Sequence, residues 1–199
     1  EVSTIPVLNH HAFSITPLAS PSLQSVNIYP NIDLTDMTIT VNVDSVPTGQ
    51  ANADGRLVLF KDGNNFIYIV SDNSATNFAI LVATGGVLVV NYSVAYSLIS
   101  HSVWRIQENS GTLTFSTSSG DGLWTTRATT PFSAWMKNVP VAVETQYTAS
   151  FATQTPFSGD ISIYKTQKKF NGEIKGTLLV DGVLDTKVGF EIQVPPQPS

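Results

Sequence analysis

The stretch Val103-Trp-Arg-Ile-Gln-Glu-Asn-Ser-Gly-Thr-Leu-Thr-Phe-Ser-Thr117 carries the pattern that decides the fold. Trp104 and Ile106 alternate with Arg105 and Gln107, and beyond Glu108-Asn-Ser-Gly111 the alternation resumes with Leu113 and Phe115. Successive side chains of a strand point to opposite faces. Each half therefore reads as a strand with one apolar face, and the polar, glycine-containing segment between them as a hairpin loop.

The same pattern recurs on both sides. Met37-Thr-Ile-Thr-Val-Asn-Val43 alternates apolar and polar positions, and Lys61-Asp-Gly-Asn-Asn65 separates strand-like runs at 56–60 and 66–71. Ser119-Gly-Asp-Gly122 reads as a further loop, and Val180-Asp-Gly-Val183 as a type I′ turn. Residues 87–98 read as one long strand, with Leu88, Val90, Tyr92, Val94, Tyr96 and Leu98 on a single face. Only residues 18–23 and 131–137 leave room for a helical turn. Many strands at regular turn spacing predict an all-β chain, a two-sheet antiparallel jelly-roll β-sandwich.

Composition agrees. The chain has 199 residues, 42% of them hydrophobic, enough for the core of one large sandwich. Only 13% are charged, about half the usual share. Val and Thr favour strands, and Ser, Asn and Gly favour turns. The net charge of −5, with no basic cluster larger than Lys165, Lys168 and Lys169, argues against nucleic acid as a partner. No apolar run approaches the roughly 20 residues that span a bilayer, so no membrane insertion is expected. With no cysteine there is no disulfide, thiolate nucleophile or Cys-ligated zinc. No leader-like segment opens the chain, which starts at Glu1; a processed protein or a domain cut from a longer one is expected.

Two domains are expected: the sandwich over residues 1–165, and an appended C-terminal β-hairpin over 166–199. The second part gathers Lys168, Lys169, Lys175 and Lys187 and ends in the Pro-rich Val194-Pro-Pro-Gln-Pro-Ser199.

Four segments resemble the concanavalin A-like lectin/glucanase and laminin G-like superfamily: MTITVNVDSV at 37–46, GRLVLFKDGNNFIYIVS at 55–71, WRIQENSGTLTFSTSSGDGLWTTR at 104–127 and GDISIY at 159–164. Together with the strands between them they cover about three quarters of the chain, and they match as turns and core positions rather than as chemistry. The resemblance implies a jelly roll with a concave face that holds sugar chains. It points to the non-catalytic members, carbohydrate-binding modules of secreted bacterial proteins and modules of phage tails and baseplates. The enzymatic members carry two glutamates in an ExDxxE-like strand, and nothing here matches that arrangement.

The residues fit that absence. Glycoside hydrolysis needs two carboxylates across the scissile bond. The glutamates beyond Glu1 are Glu108, Glu144, Glu173 and Glu191, none with an acid two or four positions away on a strand. His10, His11 and His101 are read as surface histidines, since no Gly-x-Ser-x-Gly elbow accompanies them. Sugar binding uses aromatic faces with planar polar groups beside them. Arg56, Tyr68, Arg105, Gln107, Trp124 and Trp135 are the candidates, with Trp104 assigned to the core and Trp135 expected to be the most exposed tryptophan. Phe66, Tyr68 and Val70 share one face of their strand and Ile67 and Ile69 the other; either could be the concave one. No cofactor is expected other than a structural calcium, for which Asp33, Asp36 and Asp160, with Asp62, supply candidate oxygens. Each Asp also suits a plain turn.

The expected function is non-catalytic binding of a polysaccharide or cell-surface glycan, in a secreted, cell-surface or virion protein. Two alternatives stand beside it: a structural or assembly module that packs as a homo-oligomer or against other domains of its parent protein, and a glucanase-type hydrolase.

Overall fold

A computed structural model of the chain describes residues 7–16, 22–47, 53–72, 76–147, 155–166, 179–180 and 183–184. The chain divides into two compact units, Glu1–Thr166 and Gln167–Ser199. Among the described residues twelve strands build the first unit: β1 (Val7–Ile15), β2 (Ser22–Ile32), β3 (Met37–Ser45), β4 (Ala53–Asp62), β5 (Asn65–Asp72), β6 (Asn77–Thr84), β7 (Val87–Ala95), β8 (Val103–Asn109), β9 (Thr112–Ser118), β10 (Thr125–Pro131), β11 (Val139–Tyr147) and β12 (Phe157–Lys165). One 3₁₀ turn, Ala134–Lys137, falls within the segment read as a candidate helical turn. In the second unit Leu179–Val180 (β13) pairs antiparallel with Val183–Leu184 (β14). Asp181 and Gly182 between them, and the rest of the Lys-rich and Pro-rich segment after Thr166, lie outside the described residues.

The twelve strands form two six-stranded antiparallel sheets, β1-β12-β3-β8-β9-β10 (sheet A) and β2-β11-β4-β5-β6-β7 (sheet B). The chain changes sheet five times before its last strand, which lands beside β1 at the edge of sheet A. This is the jelly-roll sandwich expected from the alternation. The inner faces meet over Trp104, Phe78, Phe115, Phe157, Ile39, Leu57, Ile69 and Val143, all buried. Trp104 of sheet A lies 5.8 Å from both Phe78 of sheet B and Phe157, and its indole N–H donates to the carbonyl of His101 at 2.7 Å.

Turn chemistry sets the hairpin registers. Ser110 and Gly111, and Gly85 and Gly86, all have positive φ, the two-residue I′ arrangement whose twist suits antiparallel strands. Glu108 sits at the inner end of β8, 3% exposed. Its carboxylate accepts the N–H of Gly111 at 2.7 Å and the N–H of Asp36, tying the β8–β9 turn to the loop before β3.

Two expectations need correction. The strand after Gly86 ends at Ala95, and a register shift at Ala83 leaves Val89 as an inserted residue. Leu88 therefore faces away from Val90 and is 46% exposed, while Leu98 lies in the following turn. His101 is no surface residue: it is 3% exposed, its ring parallel to Phe78 at 4.6 Å.

Two glycines mark where the sheets tolerate no side chain. A Cβ on Gly159 would lie 2.0 Å from the backbone carbonyl oxygen of Asn42, at a bulge in the β12–β3 pairing. One on Gly55 would meet the Phe157 ring at 2.6 Å. A ring can tilt and a paired carbonyl cannot, so in urea unfolding Gly159→Ala loses more stability than Gly55→Ala, with the latter costing about 1–3 kcal/mol. Equal midpoints for the two variants would overturn that ranking.

Candidate functional site

In an antiparallel sheet, residues directly opposite one another share a face. The registers therefore sort the outward side chains into rows. On sheet B, Leu57, Leu59, Ile67, Ile69, Phe78, Ile80, Val141 and Val143 point into the core. The residues between them face out. One row runs Glu144, Arg56, Val70, Ala79, Ser93, the next Ala142, Val58, Tyr68, Leu81, Asn91, and the third Phe60, Phe66, Ala83, Leu88.

This face has an aromatic half and a charged half. Phe66 and Tyr68, two residues apart on β5, stack at 4.6 Å with ring planes 19° apart. Beside them Arg56 pairs with Asp54, and Glu144 stands directly across from Arg56. Burial raises the pKa of the Tyr68 hydroxyl, and the Glu144 charge adds to the shift while Arg56 opposes it. Tyr68 thus keeps its proton as a hydrogen-bond donor. Stacked rings flanked by fixed carboxylate and guanidinium groups offer what a sugar needs: a platform for its C–H face and bidentate partners for its hydroxyls.

On sheet A, Ile39, Val41, Trp104, Ile106, Phe115 and Ile161 point inward. The outward rows are almost wholly polar. One runs His10, Ser162, Thr40, Arg105, Ser116, Thr126, and its neighbour holds Tyr164, Thr38, Gln107 and Thr114. The Arg105 guanidinium carbon lies 3.8 Å from the ring centroid of half-buried Trp124, which arrives from the loop before β10.

The six sequence candidates therefore do not share one groove. Arg56 and Tyr68 lie together on sheet B; Arg105, Gln107 and Trp124 lie together on the opposite side of the sandwich. Trp135 belongs to neither. It is half-buried against the core, its indole N–H donating to the Thr84 hydroxyl at 3.2 Å, and so is not the exposed tryptophan expected; Trp124 is half-buried as well. Phe66, Asp54 and Glu144 belong to the sheet B face and were not among the candidates. Phe66 was within reach of the alternation that placed Tyr68 on the same strand face, whereas Asp54 and Glu144 carry no such local signal.

Of the calcium candidates, Asp33 accepts the amide and hydroxyl of Thr35 at 2.8 and 2.6 Å. Burial alone would raise its pKa, but those bonds and the Lys137 and Lys165 charges outweigh it, leaving the carboxyl below its ordinary range. Asp36 takes a positive φ in the β2–β3 loop, Asp160 faces His10 at 3.8 Å, and Asp62 accepts from Asn64 and Asn65. Among the described residues no three His, Cys, Asp or Glu are gathered into a metal-binding group.

No family model matches the chain, and no curated protein matches it. Solved structures do. The legume lectin-like domain from Entamoeba histolytica superposes with a TM-score of 0.56 at 14% identity, covering 79% of this chain and 90% of that one. The exoplasmic/lumenal domain of VIP36, in its Ca2+/Man3GlcNAc-bound form, gives 0.55 at 10% identity, with 81% and 85% covered. The CBM2 module of the evolved Dit of Lactobacillus casei BL23 phage J-1 gives 0.50 at 12%, with 78% and 77% covered. At these identities the likeness is one of fold alone, a two-sheet lectin-like β-sandwich of the kind the sequence resemblance implied.

Burial of His101 has a consequence in pH. Its Nδ1 accepts the Ser97 N–H at 3.0 Å, which places the proton on Nε2. Burial lowers its pKa, and the Arg127 charge lowers it further. The unfolded chain takes up this proton near pH 6.5 while the folded chain does not, so the contribution is complete above that pH and is lost as pH falls toward the folded value. The melting temperature should fall between about pH 7 and pH 5. His101→Asn, which keeps an acceptor for Ser97, should start lower and show a flatter profile; parallel profiles would remove His101 as the cause.

Proposed function

We propose that the chain is a non-catalytic carbohydrate-binding module whose glycan lies across the outer face of sheet B. The single observation that carries this reading is the stacked Phe66 and Tyr68 pair set beside Arg56, Asp54 and Glu144 on one face. Support comes also from the neighbours in fold, since the VIP36 domain was solved with mannose-containing ligands and the phage module is named as a carbohydrate-binding module. The glucanase alternative loses Glu108, whose carboxylate is buried and occupied by two backbone amides. A role in a secreted bacterial protein or a phage tail adhesion device follows from the same reading. Affinity per site is weak and gains from repetition in the intact assembly.

The test is a glycan array with the purified chain. A reproducible hit on a neutral oligosaccharide is expected, with affinity falling at least about tenfold in Tyr68→Ala, since stacking and a hydrogen bond are lost together. The variant must retain the wild-type circular dichroism spectrum. A blank on a broad array, or a hit untouched by Tyr68→Ala, rejects this site.

One observation favours the assembly reading. Edge strand β7 begins with Val87, Leu88 and Val89, exposed by 64, 46 and 47%, and no charge occurs in residues 87–98. Edge strands are ordinarily protected by charge or proline. An assembly module predicts a concentration-dependent oligomer in sedimentation equilibrium that Val89→Lys dissociates; a monomer at every concentration rejects it.

A further inference from the structure

Arg105 and Arg56 occupy equivalent outward positions on opposite sides of the sandwich, yet their surroundings differ. Arg56 has its carboxylate in Asp54 and faces Glu144 across the strand pair. Arg105 has neither: among the described residues its guanidinium makes no ion pair and no hydrogen bond, whereas its shielded and unpartnered Nε is a feature it shares with Arg56. Trp124 lies against the guanidinium plane and holds it in place while leaving its edge, where the N–H donors project, without an acceptor. The adjoining Ser116, directly across on β9, is 1% exposed and its hydroxyl also lacks a partner. On the other side Thr40 is across from Arg105 on β3, with its hydroxyl 3.1 Å from that of Tyr164.

A half-buried guanidinium with unused donors is costly, and burial accordingly lowers its pKa, only partly opposed by Tyr164. The arrangement becomes favourable when a carboxylate docks bidentately on the free edge. The surrounding groups narrow the ligand further. Gln107 and Thr114 extend the hydroxyl- and amide-bearing surface by one row, and Trp124 supplies an aromatic edge. Hydroxyls, amides and an aromatic around one cation match a sugar ring that bears an acid group, not a bare ion.

We infer that the outer face of sheet A is a second glycan site, selective for an acidic sugar whose carboxylate pairs with Arg105 while its ring packs along Trp124. It is separate from the sheet B face and does not depend on it. The chain's net charge of −5 opposes the approach of a long polyanion, so a short acidic oligomer is the suitable probe.

The experiment is isothermal titration of the full chain with trigalacturonic acid, with dextran sulfate and neutral dextran as comparison arms. Binding of trigalacturonic acid is expected, weakened at least about tenfold in Arg105→Gln and in Trp124→Ala, and unaffected by Tyr68→Ala. Arg105→Lys keeps the charge but not the fork, and should recover only part of the loss. Thermal melts of each variant establish that it is folded; should Arg105→Gln fail to fold, Arg105→Lys carries the comparison. No binding of trigalacturonic acid to the wild-type chain overturns the inference. So does binding that Arg105→Gln leaves intact, or a preference for the sulfated polymer over the uronate. Loss of neutral-glycan binding in Tyr68→Ala with uronate binding kept separates the two faces.

Discussion

Trp104 is the point on which both faces of the protein depend. It is fully buried between the sheets, packed against Phe78 from sheet B and Phe157 from sheet A, and its one polar atom is satisfied by the His101 carbonyl. A residue that large cannot be moved to the solvent side without losing several kcal/mol. Because side chains alternate at a period of two, a one-residue slip of β8 would do just that. Fixing Trp104 inward therefore fixes Arg105 and Gln107 outward. Leu57 and Ile69 do the same for Arg56 and Tyr68 on sheet B. The chemistry of the outer faces is thus set by the packing of the inner ones.

Alternation made most of the strands legible. The hairpin from Val103 to Ser118, the turn at Gly63 and Asn64, and the inward set Trp104, Ile106, Leu113 and Phe115 follow directly from local pattern. What local pattern does not contain is the pairing of strands distant in sequence. Arg56 and Arg105 look alike in their own strands, each beside apolar neighbours, and only the order of strands in two sheets shows that they face opposite ways. Glu144 meets Arg56 through a pairing that spans much of the chain. The misreadings have the same origin. His101 follows a polar turn and reads as exposed, but the ring of Phe78 comes from the other sheet to cover it. Trp135 reads as exposed because its own segment is turn-like, while Thr84 and the core reach it from β6.

Glu108 shows how an acid can mislead when only its residue type is known. It stands near the end of a strand, beside a loop, and the sequence shows only that no second acid accompanies it there. Its position is inward, however, and both oxygens are occupied by backbone N–H groups of two different loops. A carboxylate fixed by main-chain donors braces turns, and at 3% exposure it is closed to a ligand.

The contrast between the two arginines carries the last step. With only 13% of its residues charged, the chain places few ions in half-buried positions, and each needs compensation. On sheet B the compensation is internal: Asp54 and Glu144 surround Arg56, so the polar groups present a face with balanced charge beside an aromatic ledge. A ligand that adds charge there would disturb a balance already made, in keeping with the neutral sugar proposed for that face. On sheet A the charge of Arg105 meets an aromatic ring and hydroxyls but, among the described residues, no acid. An aromatic ring attracts a cation without neutralising it. Among the described residues no carboxylate completes that balance, and the anionic sugar proposed for this face would supply one.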